Sequence, residues 1–171
     1  MDEEEKYGID IDNAHKKAIE LIPEEFFFCF IDELAPFGSD EGDTALAEFR
    51  DWRKENPKTP TLECLKWTIE GVGEMNFEDY NTGILSRSKI KSQIEDEDFD
   101  DQQYIYTLDI SVIATGFAQL VDEGLIEAKN KPIIKHAIDR QIIWAEISED
   151  WPYSKEYISN LKVLSRVLTV A

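Results

Sequence analysis

The sequence predicts an all-α protein, a single compact domain of about six to eight helices with room for minor strand content. Three observations carry this expectation. Apolar residues recur three and four apart, as in Tyr106, Ile110, Ile113, Phe117 and Leu120. Glycine is scarce, eight in 171 residues, and the hairpin dipeptides Asn-Gly and Asp-Gly are absent. Alternation of period two is poor. Residues 1–12 read as an acidic N-terminal arm and 13–171 as the helical domain, interrupted by an acidic loop near 95–101.

The elements follow in order. NAHKKAIELI (13–22) reads as a short helix with Asn13 as its cap. After Pro23, EEFFFCFIDEL (24–34) reads as a second helix, with a strand as the alternative. Its phenylalanines at 26, 27, 28 and 30 cover more than one face, which predicts complete burial. Pro36 disfavours helix at Ala35 and ends this piece near Leu34. Gly38 suits a turn, and Ser39 or Asp40 can cap the next helix, which runs to Glu55 with Leu46, Phe49 and Trp52 on one face. NPKTP (56–60) breaks it. Thr59 and Pro60 then open a helix through TLECLKWTIEGVG, stopped by Gly71 and Gly73. Residues 74–101 suggest one or two short helices before the acidic loop. A long helix spans 104–124, ending at Gly124, although its β-branched residues keep a strand through 104–114 open. IIKHAIDRQIIWAEI (133–147) is amphipathic, and beyond Pro152 a last helix is capped by Ser154, with Tyr157, Leu161, Leu164 and Leu168 on one stripe.

Charge bounds the function classes. The chain carries 37 acidic against 18 basic residues, a net charge of −19. Two short runs, residues 1–12 and EDEDFDD (95–101), hold 11 of those excess charges. Such a chain repels phosphate backbones and attracts basic proteins, so direct nucleic-acid binding is not expected. No leader-like start and no run of about 18 apolar residues is present, so no membrane association is expected. Cys29 and Cys64, without CxxC spacing, suit reduced thiols in a cytoplasmic protein.

Motifs for chemistry are missing. Asp96, Asp98 and Asp100 have the 1, 3, 5 spacing of an EF-hand, but Asp101 stands where glycine is needed and Thr107 where glutamate is needed. His15 and His136, the two histidines, lie in no zinc pattern. There is no nucleophile elbow and no glycine-rich phosphate loop. No catalytic residue, metal ligand or cofactor is therefore assigned, and the reading leans away from an enzyme. One segment, ELAPFGSDEGDTAL (33–46), gathers carboxylates around a turn. It reads first as a helix entry, with negative charge favoured in the first turn. The functional alternative is a pocket where Asp32, Glu33, Asp40 and Asp43 converge.

The block EEFFFCFIDELAPFGSDEGDTALAEFRDW (24–52) resembles the YfeS-like family of bacterial proteins, through Phe26, Phe27, Asp32, Glu33, Ala35, Pro36, Phe37, Gly38, Asp40, Gly42, Asp43, Thr44 and Leu46. DISVIATGFAQLVDEGLIE (109–127) and the following helix with Arg140 and Gln141 are a weaker echo. The resemblance implies a compact domain. It supplies no catalytic residues, and the WGR or MolR labels of some relatives imply a regulatory context. Trp52, closing the first block, and Arg140 join the four carboxylates as candidate binding residues. The composition thus points to an acidic protein-binding module, immunity-protein or antitoxin in type, that engages a basic partner. The alternatives are an enzyme or a small-ligand or cation-binding domain built on residues 32–43, and an accessory regulator.

Overall fold

A computed structural model describes residues 8–95, 101–148 and 150–171. Among them the fold is all-α, with seven α-helices and no strand. They are α1 (Lys16–Leu21), α2 (Asp40–Glu55), α3 (Leu62–Gly73), α4 (Arg87–Glu95), α5 (Asp101–Glu123), α6 (Lys131–Ile147) and α7 (Ser154–Val170), joined by short 3₁₀ turns.

The central element is α5. It packs against α2, α3 and α6, and α7 lies on α6. From Leu108 to Val121 every residue is buried, so this helix is covered on all sides. That burial explains its β-branched content: packing on three neighbours overrides the weak local preference for strand, and 104–114 is helix throughout. Two ion pairs fasten α2 to the end of α5. Arg50 grips Asp122 at 2.9 and 3.0 Å, and Arg53 grips Glu123 at 2.9 and 2.8 Å.

Several predicted elements differ in detail. α1 is capped by His15, whose Nδ1 accepts from the Lys17 amide at 3.1 Å, not by Asn13. Gly124 follows α5 with φ +81°, and a Cβ there would lie 2.4 Å from the His15 ring. The cap and the terminator therefore pack on each other, which the isolated motifs did not reveal. Thr61 precedes α3, and Tyr153 precedes α7, so Ser154 is a buried first-turn residue and not a cap. Part of the acidic arm is docked: Ile9 is buried, and the Gly8 carbonyl accepts from Arg50 at 2.8 Å. Of the expected acidic loop, Glu95 and Asp101 belong to α4 and α5, and residues 96–100, with the EF-hand-like spacing, lie outside the described residues.

The largest correction concerns residues 24–34. Instead of a buried helix there is one 3₁₀ turn, Glu25–Phe28, followed by an irregular strap of bends and turns. Phe27 and Phe28 enter the core, where Phe27 meets Phe28, Phe37 and Phe117 edge-on at 4.9, 5.5 and 5.9 Å. Phe30 and Ile31 point outward, 71% and 74% exposed. The Asp32 side chain accepts from the Leu34 amide at 2.9 Å, and its carbonyl accepts from Ala35 at 2.9 Å, so a turn forms where a helix would need to continue.

Both described cysteines are free, Cys29 half-buried and Cys64 buried inside α3. Burial pushes the Cys64 thiol up to about 12, only partly offset by its contact with Thr68. At pH 8 iodoacetamide should therefore label Cys64 about a hundredfold more slowly than Cys29 in the native protein, with the difference lost in urea. Peptide mapping by mass spectrometry reads both sites.

Candidate functional site

The strap at residues 29–39 is built by two close approaches. A Cβ on Gly38 would lie 2.0 Å from the Asp32 carbonyl oxygen, and one on Gly42 would lie 1.8 Å from that of Pro36. Only glycine allows the backbone to fold back this tightly. Ser39 then caps α2, its Oγ accepting from the Gly42 amide at 3.1 Å. Asp40, Glu41 and Asp43 fill the first turn, where the helix dipole favours them. From the other side, Tyr106 donates to the Glu33 carbonyl at 3.4 Å and Asn160 donates to that of Leu34 at 3.3 Å. The strap is thus pinned to α5 and α7 by its backbone, with Phe30, Ile31 and Glu33 outward while Ala35 and Phe37 turn into the core.

Two grooves flank it. The larger, about 850 Å³, is lined by Ile31, Asp32, Glu33 and Leu34 of the strap, by Ser39, Asp40 and Glu41, and by Tyr106, Trp144, Trp151, Tyr153 and Glu156 opposite. The second, about 650 Å³, runs past Phe28 and Phe30 to residues 8–11, with Ser39, Asp40 and Asp43 on its edge. Consecutive residues Phe30 and Ile31 face different grooves, so the strap is a ridge, and Asp40 borders both sides.

The aromatic wall of the larger groove is a continuous cluster. Ring centroids are 5.9 Å apart for Tyr106 and Trp144, 5.7 Å for Trp144 and Trp151, and 6.2 Å for Trp151 and Tyr153. Tyr157 lies beneath, fully buried, at 5.6 Å from Trp151. Its hydroxyl donates to Gln141 at 2.5 Å, and Gln141 donates to Asp109 at 3.0 Å. Asp109 accepts two further bonds from Arg140, at 2.8 and 2.7 Å, and one from Tyr80 at 2.6 Å. Burial raises the Tyr157 hydroxyl well above its ordinary value, reinforced by Tyr106 and Asp109, so it stays a neutral donor. Burial likewise raises Tyr106, and its bond with Ser39 opposes this while Glu41 and Glu33 reinforce it.

Of the six candidate residues, Asp32, Glu33 and Asp40 border one groove, and Asp43 joins Asp40 on the other. Trp52 lies elsewhere, half-buried on α2 with its ring 6.5 Å from Phe49 and Arg53 above it at 5.8 Å. Arg140 is 4% exposed and stands behind the aromatic wall as part of its support. Among the described residues no group of three or more His, Cys, Asp or Glu side chains is placed to hold a metal ion. Sequence reasoning missed the opposite wall, because Trp151, Pro152 and Tyr153 register only as a helix break. The available signal was the run of aromatics Trp144, Trp151 and Tyr153 around the junction of α6 and α7.

Fold and site together define an all-helical, strongly acidic domain that presents an exposed apolar ridge between two carboxylate-bordered grooves. Among curated proteins the chain is similar to one of Escherichia coli (strain K12) named "Uncharacterized protein YfeS", with 23% identity over 164 residues. The match covers 93% of this chain but spans only 65% of the relative's length. That name carries no WGR or MolR label. No family model and no solved structure matches the chain. No helix among the described residues is long and apolar enough to cross a membrane.

Proposed function

We propose that the protein is a non-catalytic, acidic protein-binding module that engages a basic polypeptide through the ridge and its two grooves. The observation that carries this reading is the pair Phe30 and Ile31, 71% and 74% exposed and set among carboxylates. Large apolar side chains held outward by a pinned backbone suit a contact surface, and an acidic surround selects a basic partner. At a net charge of −19 the partner is a protein and not a phosphate polymer. An immunity protein or antitoxin that occupies a basic toxin or nuclease is the concrete form. The aromatic wall of the larger groove also favours a second reading, a small cationic ligand held without any polypeptide.

The test places photoreactive benzoylphenylalanine at Ile31, with the exposed Trp67 of α3 as the control position. Irradiation in cells should give an adduct with a basic protein at position 31 and none at 67. No adduct at 31, equal adducts at both positions, or an acidic partner overturns the reading.

A further inference from the structure

The larger groove combines two features that separately have little meaning. One wall is a cluster of aromatic rings, Trp144, Trp151 and Tyr153, packed edge-to-face at 61° and 70°. The other wall and the rim are carboxylates, and no lysine or arginine borders the groove among the described residues. Asp32 is already engaged with the Leu34 amide. Glu33, Asp40, Glu41 and Glu156, by contrast, enter no described ion pair, although arginines elsewhere in the chain pair closely with acids. A cation entering here meets aromatic rings on one side and carboxylates on the other.

We propose that this groove is a subsite for one arginine side chain of the basic partner, a deepening that rests on the protein-binding reading above. Arginine fits better than lysine for two reasons. Its planar guanidinium stacks flat on indole and phenol rings, and its fork donates to two carboxylates at once. A lysine ammonium is a compact, strongly hydrated charge that gains less from an aromatic ring. Glu41, in the first turn of α2, and Glu156, in the first turn of α7, stand on different helices and supply the two-sided grip. Ile31 on the ridge covers the aliphatic stem.

The probe is N-acetyl-arginine amide, titrated into ¹⁵N-labelled protein while the four indole N–H signals are followed. The signals of Trp144 and Trp151 should shift and saturate, and those of Trp52 and Trp67 should not. N-acetyl-lysine amide should bind about fivefold or more weakly, and neutral N-acetyl-citrulline amide should produce no saturable shift. Glu41→Gln combined with Glu156→Gln, one half-buried and one exposed, should weaken the arginine probe about tenfold while lowering the thermal transition only by the small amount that two lost first-turn charges imply. Non-saturating shifts, shifts at all four indoles, or equal binding of lysine overturns the subsite. The two proposals fail separately. Cross-linking at position 31 without saturation by the probe removes the subsite alone. Saturation without any polypeptide adduct overturns the partner reading and, with it, the assignment to a partner's arginine.

Discussion

Asp109→Ala should lower the unfolding free energy by roughly 3–5 kcal/mol, measured as a shift of the urea midpoint at unchanged slope. Asp109 is fully buried on the central helix and accepts from Arg140, Gln141 and Tyr80. Removing it leaves the Arg140 guanidinium, 4% exposed, buried without its carboxylate. A buried guanidinium deprived of its carboxylate, and not the loss of the attraction itself, accounts for most of the effect. The double variant Asp109→Leu with Arg140→Met should recover about 2 kcal/mol or more, because it removes both charges together. Lys135→Ala breaks only the exposed pair with Asp139 and should change stability by about 0.5 kcal/mol or less. The near-ultraviolet circular dichroism of Asp109→Ala should also weaken, since Gln141 and Tyr157 connect this pair to the tryptophans of the groove wall.

Gly42→Ala should cost about 2–3 kcal/mol, although alanine is ordinarily the better helix residue. The added methyl would sit 1.8 Å from the Pro36 carbonyl oxygen, a backbone atom with no freedom to swing aside. Relief requires the strap to move off the start of α2, which also displaces the Ser39 cap and the ridge. Gly71→Ala is the matched control. It lies inside α3 with nothing within 4 Å of the new methyl, and should gain about 0.5–1 kcal/mol. Thermal unfolding of the pair compares helix propensity with close approach in a single protein.

Both substitutions concern features whose types were visible in the sequence and whose partners were not. The 3.6-residue period locates α2, α6 and α7 to within a few residues because each has a stripe facing one core, whereas α5, covered on all sides, is located by the length of its apolar run. The same logic fails for residues 24–34, where four phenylalanines suggest burial in every direction. Burial there is decided by a turn at Asp32 and by two glycines, each pressed on the carbonyl of the residue six positions earlier. Arg140 reads as a candidate binding residue until Asp109, 31 residues before it, is seen to hold it inside. A lone aspartate in YTLDISVIATGF, otherwise apolar over much of its length, was the legible hint of a buried partner. The groove itself joins residues from positions 31 to 156, so no local pattern contains it. Charge composition carries only the sign of the proposed partner, and the fold alone shows where the exposed apolar side chains Phe30 and Ile31 lie.

A titration with the polypeptide captured at position 31, followed calorimetrically at low and high salt, tests the binding role most directly. From about 50 to about 300 mM salt the Kd should weaken roughly tenfold or more, and Phe30→Asp with Ile31→Asp should weaken it by about a further hundredfold at either salt. A Kd that is indifferent to salt and unchanged by the ridge variant would contradict an acidic, ridge-centred contact with a basic partner.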